Sequence, residues 1–425
     1  MGMKRAWLIA LICLPAMRQG QALSQRPWVI ALPFETGLSD SASGHSYEAN
    51  HSISMGFYQG FSAAVESLNS SNDSEQIQLH IVEYRRNENR YWIHPSGMDH
   101  DSIIATDNWH LTPAQFAQWV NEQGAQWVIG PLHSRSVTEL ASQAKGFRIL
   151  SPLSKHVVEA ADSSEVVLTA SASAMDAMER LGAIVAIDQV ELAYGVFLQK
   201  DSLANVDSIK QVNQSNKQIL VFQSADNPRF REKADVRFQA FMQGYHAWAG
   251  DSSSITLVSL ADTLWKHHPL WEDSSQVSLL LDVSATELFS ILKVIKNREP
   301  HATQLLLHQD AVNRTVSMPS VLLRFPFTWV QTTALPDASH SQAIDAMWSL
   351  TGHEPGRWEW LGYDSAFLLN ALHDEKNPHA VQGPRRLFIP ERVVQGYRNH
   401  GTYRYSFHPD HGFTNAHGQP IQSIQ

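Results

Sequence analysis

The sequence predicts an α/β chain folded as two lobes, each a mainly parallel sheet flanked by helices. Three observations lead there. Short apolar runs of strand length alternate with segments of helical spacing along almost the whole chain, the pattern of parallel-sheet α/β architecture. With 425 residues and 43% hydrophobic content, the chain can bury two moderate cores. No stretch beyond residue 22 approaches the ~20 consecutive apolar residues of a membrane-crossing helix.

The elements follow in order, beginning with a leader. Lys4 and Arg5 precede the apolar run Ala6 to Ala16 (AWLIALICLPA), and Gly20 and Ala22 are small residues suited to cleavage after Ala22. Residues 1–22 are therefore expected to be a signal peptide, which places the remainder in the periplasm. Cys13 invites a lipid-anchor reading, but Ile12 stands where a lipobox carries a small residue. Cys13 is the only cysteine, so the chain beyond the leader has neither disulfides nor thiolate metal sites. The formal charge is −10, and removing Lys4, Arg5 and Arg18 makes the remainder more acidic. That balance excludes a nucleic-acid backbone or an anionic membrane surface as a partner.

Beyond the leader, Pro27 to Phe34 (PWVIALPF) reads as a strand, Ile53 to Leu68 as a helix and Ile77 to Tyr84 as a second strand. Arg85 to Leu111, rich in Asn, His, Asp and aromatic residues, reads as an insertion at the surface of the first lobe. Thr112-Pro113 opens a helix with a capping hydroxyl and a first-turn proline. Gln126 to Leu132 and Arg148 to Pro152 are further strands, separated by a helix over 134–144. A second series has helices over 172–187, 230–248 and 284–297. Its strands fall at 190–198, 218–223, 254–260, 277–283, 303–308 and 320–329. Ile344 to Leu350 and Tyr363 to His373 are helical, and no internal repeat is evident.

Gly124 to Ser154 (GAQWVIGPLHSRSVTELASQAKGFRILSPLS) resembles the first-lobe signature of the type I periplasmic-binding protein family. That group includes branched-chain amino-acid receptors serving ABC transporters. In the family a buried strand ends in Gly-Pro, a hydroxyl residue caps the following helix, and the next strand ends in Ser-Pro beside the cleft. The matching residues are Gly130-Pro131, Ser134 and Ser151-Pro152. Trp360 to Leu372 (WLGYDSAFLLNAL) resembles the family's helix after the second lobe crossing, and the order of elements agrees over nearly the whole chain beyond the leader. The resemblance implies a two-lobe type I periplasmic-binding fold with three hinge crossovers, near 171, 331 and 392. The lobes would comprise 25–171 plus 332–392, and 172–331 plus 393–425.

It also implies a cleft site. A helix N-terminus can hold a carboxylate through its amides and dipole, and ligands of open α/β sheets sit at the carboxyl ends of strands. Ser134 with His133 would supply that edge, Leu153, Ser154 and Lys155 the adjoining wall, and Ser43, His45 and Tyr47 a loop reaching the cleft. In the second lobe the family's amino-acid receptors place a tyrosine-glycine pair after the first strand. The corresponding stretch here, with Lys200 and Ser202, lacks an aromatic. Asp282 and Ser284, together with Asp310, remain, and either acid could pair with a ligand ammonium. The implied function is reversible capture of a small ligand by a monomer, with hinge closure and delivery to a membrane permease. A carboxylate is the group this edge suits.

No G-x-G-x-x-G, G-x-x-x-x-G-K-[ST], G-x-S-x-G or H-E-x-x-H motif occurs, so neither an enzyme nor a cofactor is expected. The 21 histidines follow no compact metal spacing, and no metal is expected; Asp99-His100 and Asp410-His411 are the places where one would appear. The 13 tryptophans read mainly as core and inter-lobe packing. Two alternatives stay open: a regulatory or scaffold protein on the same fold, similar to cell-wall synthase activators, and a histidine-based metal-responsive binder.

Overall fold

The computed structural model describes residues 24–34, 44–72, 75–85, 88–93, 110–153, 167–188, 218–223, 228–249, 255–261, 263–267, 269–271, 276–308, 320–335, 340–373, 379–393 and 396–415. The expected leader and the strand expected at 190–198 lie outside these residues. So do Ser43, Ser154, Lys155, Lys200, Ser202 and Asp310. Among the described residues, no helix is long and apolar enough to cross a membrane.

The first sheet contains β1 (Ser24–Leu32), β2 (Glu75–Arg85), β3 (Arg90–Ile93), β4 (His110–Leu111), β5 (Trp127–Ile129), β6 (Arg148–Ser151), β7 (Val167–Thr169), β15 (Pro390–Val393) and β16 (Gly396–Asn399), in the order β15-β16-β7-β6-β5-β1-β2-β3-β4. The second contains β8 (Gln218–Gln223), β9 (Ile255–Ser259), β10 (Val277–Asp282), β11 (Thr303–His308), β12 (Phe327–Gln331), β17 (Tyr403–His408) and β18 (Gly412–Asn415), in the order β18-β17-β12-β11-β10-β8-β9. A small ribbon pairs β13 (Val381–Gln382) with β14 (Leu387–Phe388). The helices are α1 (Gly44–Ser71), α2 (Pro113–Glu122), α3 (Ser134–Ala141), α4 (Ala174–Asp188), α5 (Pro228–Ala249), α6 (Ala285–Ile295), α7 (Ser341–Thr351) and α8 (Arg357–Ala371).

Each sheet is covered on both faces, which is why its inner strands read as unbroken apolar runs. In β1, Trp28, Ile30 and Leu32 pack with Phe57, Phe61 and Leu361 of α1 and α8. The alternate residues Val29 and Ala31 pack with Phe116, Val120, Val137 and Leu140 of α2 and α3. In β10, Leu279 and Leu281 meet Leu288, Ile291 and Leu292 of α6, while Leu280 meets the α4–α5 cluster of Leu181, Phe241 and Tyr245.

Two expectations need correction. The stretch read as an insertion joins the first sheet at both ends, with β3 antiparallel to β2 and β4 antiparallel to β3. Tyr91 stacks on Phe116 at 3.9 Å and Arg85 lies 3.7 Å over Trp92; residues 94–109 lie outside those described. Helix α1 begins at Gly44, well before the expected 53, so His45 and Tyr47 belong to its first turns and not to a loop. The polar segment GHSYEANHS has no apolar period to announce a helix; the buried half of α1 carries it. In the second sheet the counterpart of β1 is β8, flanked by β9 and β10 as β1 is flanked by β2 and β5.

That last equivalence extends to helices and exposes an internal repeat. Phe57-Tyr58-Gln59-Gly60-Phe61 of α1 matches Phe241-Met242-Gln243-Gly244-Tyr245 of α5. Glu359-Trp360-Leu361-Gly362 of α8 matches Glu179-Arg180-Leu181-Gly182 of α4. The contacts match as well. A Cβ on Gly60 would enter the Glu359 carbonyl and one on Gly362 the Phe57 carbonyl; a Cβ on Gly244 would enter the Glu179 carbonyl and one on Gly182 the Phe241 carbonyl. Each lobe thus has one backbone-to-backbone helix crossing that only a pair of glycines permits. The lobes differ at their last shared strand, since β16 runs parallel to β7 and β17 antiparallel to β12.

Replacing Gly60 or Gly182 with alanine is therefore expected to cost about 1–3 kcal/mol of unfolding free energy through overpacking. The exposed neighbour Gln243→Ala should stay within about 0.5 kcal/mol of the parent. Urea titrations followed by circular dichroism measure both, and a Gly60→Ala midpoint equal to the parent's contradicts the crossing.

Candidate functional site

The chain leaves the first sheet at the carboxyl end of β7 and enters α4 through 170–173. It leaves the second sheet at the carboxyl end of β12 and returns through 332–340 to α7. β7 is parallel to β6, β5 and β1, and β12 is parallel to β11, β10 and β8. Both sheets therefore turn their carboxyl edges toward the crossings. The third crossing follows Asn399, later than the expected 392, because Gly396 and Tyr397 pair with Val167 and Leu168 of β7.

Asn399, 2% exposed, ties the first crossing to the third. Its backbone N–H donates to Thr169 Oγ1 at 2.9 Å, and its Nδ2 donates to the carbonyls of Ala170 (2.9 Å) and Leu387 (3.2 Å). Its Oδ1 accepts from the N–H groups of Ile389 (3.1 Å) and Gly401 (2.8 Å). Arg385 holds the second crossing. Its Nε and Nη2 both donate to the Ala334 carbonyl, at 3.0 and 2.7 Å, and its own carbonyl accepts from Ala334 N–H at 2.7 Å. Tyr405 of β17 accepts from Leu335 N–H at 2.9 Å.

Two buried acids stand in this hinge. Asp364 accepts from Arg385 N–H at 2.8 Å and lies 3.5 Å from Arg386 Nε. Burial pushes its carboxyl up to about 6, a rise that Arg386 and Arg385 only partly offset. It borders a cavity of roughly 10 Å³ with Ala170, Leu368 and Phe388. Asp176 accepts from Ser173 N–H (2.6 Å) and Oγ (2.5 Å), and its other oxygen meets His400 Nδ1 at 3.0 Å. Burial raises its pKa, but the bonds from His400 and Ser173 outweigh that and hold the carboxyl below its ordinary value.

At the first-lobe edge, β5 ends in Gly130-Pro131, a cis peptide bond. Gly130 has φ +97°, and a Cβ there would enter the Ala31 carbonyl, so only glycine fits. The cap of α3 is His133, not the expected Ser134: His133 is extended (φ −99°, ψ 136°), its carbonyl accepts from Val137 N–H at 3.0 Å, and Ser134 is already helical. The His133 side chain makes no cap hydrogen bond. Leu153 packs half-buried against the first core.

At the second-lobe edge, Asp282 ends β10 in contact with Arg237 of α5. Arg237 Nε and Nη2 donate to its two oxygens at 2.6 and 2.9 Å, and both residues are buried. His308, at the end of β11, places Nδ1 4.0 Å from Asp282. The carboxylate expected to meet a ligand ammonium is thus already paired. Ser284 caps α6, with Glu287 completing a capping box, so its hydroxyl serves its own helix. Arg237 and His308 escaped sequence reading, because an arginine inside α5 gives no sign of a partner 45 residues away. Asp410 and His411, expected as a metal location, form the β17–β18 turn, and Asp99 and His100 lie outside the described residues.

Two outcomes are expected. Arg237→Met should destabilise by about 3–5 kcal/mol by stranding a buried carboxylate, and adding Asp282→Leu should restore most of it; a double-mutant cycle in urea tests this. For Asp364 the folded-state pKa lies above the unfolded 3.8. Its stabilising contribution is thus full below pH 3.8, is lost as pH rises to about 6, and is constant beyond. Relative to Asp364→Asn, the parent should lose about 2 kcal/mol between pH 4 and pH 6.5, read from denaturation midpoints across that range.

No protein-family model and no curated protein sequence matches the chain. Solved structures do. The C-domain of LpoA (YraM) from Haemophilus influenzae, a regulator of PBP1A, superposes with a TM-score of 0.50 at 14% identity, covering 92% of this chain and 99% of that one. Full-length LpoA in a monoclinic form gives 0.53 at 13% identity; the match takes in 94% of this chain but 59% of that one. A putative branched-chain amino acid ABC transporter protein from Rhodospirillum rubrum gives 0.51 at 11% identity, covering 90% and 97%. With two mainly parallel sheets, three crossings and these neighbours, the chain has the two-lobe type I periplasmic-binding fold.

Proposed function

We propose that the chain is an exported, monomeric binding protein that captures a small carboxylate-bearing ligand between its two carboxyl edges and delivers it to an ABC-type permease. The contrast between the two edges carries this reading. In the second lobe, Asp282 is closed by Arg237 and α6 by its own capping box. In the first, the positive end of α3 follows β5 directly, with no cap hydrogen bond from the His133 side chain. Anion recognition therefore falls to the first lobe, while nothing described in the second reserves a carboxylate for an ammonium group. The ligand class that fits is a carboxylate without an amino group, in place of the amino acid that the family resemblance implies. Capture would favour the closed form only by the ligand's preference for it. Ser154, Lys155, Lys200 and Ser202 retain their proposed places along the same edges, as do His45 and Tyr47 at the start of α1, and Asp310 would border the ligand without pairing an ammonium group.

The Arg237–Asp282 pair also favours a second reading, a regulatory or scaffold protein whose surface does the work. The same fold serves a regulator of PBP1A in Haemophilus influenzae.

A thermal-shift series with acetate, succinate, benzoate and 4-methylpentanoate, each beside leucine, separates the two. The first reading expects at least one simple carboxylate to raise the melting temperature, and 4-methylpentanoate to do so more than leucine, its amino counterpart. If no carboxylate shifts the transition while an envelope protein co-purifies with the chain, transport is overturned and the regulatory reading stands.

A further inference from the structure

We propose that Asp176, Glu179 and His400 form a divalent-metal site that joins the first crossing to the third. The three side chains come from the two segments that Asn399 brings together. Asp176 and Glu179 stand one turn apart at the start of α4, just after the first crossing, and His400 directly follows β16 at the third. Their donor atoms, two carboxylate oxygens and one imidazole nitrogen, all lie within 4.8 Å of one another.

One pair is already near coordination distance. Asp176 Oδ1 and His400 Nδ1 are 3.0 Å apart, against about 3.4 Å for two ligands sharing a tetrahedral ion with ~2.1 Å bonds. The second oxygen of Asp176 is fixed by Ser173 N–H and Oγ, which aims the first oxygen at His400. Asp176 is almost fully buried and the His400 side chain 27% exposed, so an ion could enter from the His400 side. Glu179 completes the set, its carboxylate within 4.8 Å of the other two donors. Coordination through Nδ1 would replace the His400–Asp176 hydrogen bond, the imidazole carrying its N–H on Nε2.

Two carboxylates and one imidazole, without thiolate, suit Zn²⁺ or Mn²⁺ better than Cu⁺ or Ca²⁺. Three protein ligands leave at least one position open. Arg180, next to Glu179 in sequence, and Arg404, four residues after His400, repel one another. The other histidine-rich place is His408 and His411, whose rings stack at 5.0 Å on the β17–β18 turn. Its members are largely solvent-facing, so it serves as the internal control.

The test is calorimetric titration of the EDTA-treated, dialysed full chain with ZnCl₂, repeated with Co²⁺ read by visible absorption. The expected result is one ion per chain, with affinity reduced at least tenfold in both Glu179→Gln and His400→Ala and the Co²⁺ band lost. His408→Ala/His411→Ala should bind like the parent. Circular dichroism verifies that each variant is folded, and Glu179→Gln keeps the test decisive if His400→Ala is not. Absence of binding, binding unchanged in Glu179→Gln, or binding abolished by His408→Ala/His411→Ala overturns the site.

Discussion

The buried amide of Asn399 is the interaction on which the arrangement of this molecule depends. One side chain and its own backbone N–H satisfy five hydrogen bonds, reaching the end of β7, the ribbon around Leu387 to Ile389 and the segment entering β17. A buried amide with every donor and acceptor paired is rigid, and removing it would leave several backbone groups unpaired at once. Because it lies where two crossings meet, it fixes where one lobe stops and the other starts. The carboxyl edges, the His400–Asp176 contact and the route of the third crossing all take their positions from it.

The lobes on either side are copies of one plan. Both sheets keep the same strand order, β7-β6-β5-β1-β2 in one and β12-β11-β10-β8-β9 in the other, and both cross a helix pair through two glycines. A Phe-x-Gln-Gly-aromatic segment against Glu-x-Leu-Gly is the chemical record of that plan. Where the copies diverge, the functional asymmetry follows. The first lobe ends β5 in a glycine that no other residue can replace, followed by a helix whose cap is histidine. The second ends β10 in an acid held by arginine, followed by a helix closed on itself.

Much of this was legible in the sequence. The buried strands β1, β5, β10 and β11 announce themselves as apolar runs, and Thr112-Pro113 and Ser284 mark helix starts that the structure keeps. What escaped was non-periodic or non-local. The first turns of α1 are polar and carry no apolar rhythm. The internal repeat rests on short matches far apart in the chain, meaningful only once the glycines are seen against carbonyls. Capping was misread by one residue at α3, because serine is the commoner cap and histidine gives no local sign. At the site, strand-end positions such as Asp282 were found, but not the state of the side chain. Whether an acid is free or paired depends on a residue in another element, and single-sequence reading has no access to that.

The central claim is that the lobes close on a carboxylate ligand held at the first-lobe edge. Spin labels at Gln342 on α7 and Lys293 on α6, both exposed, would report the inter-lobe distance directly; the only native cysteine, Cys13, lies outside the described residues. With a carboxylate that stabilises the protein, the account predicts a distance distribution that shortens and narrows as ligand is added. A distribution unchanged at saturating ligand would contradict closure as the basis of function.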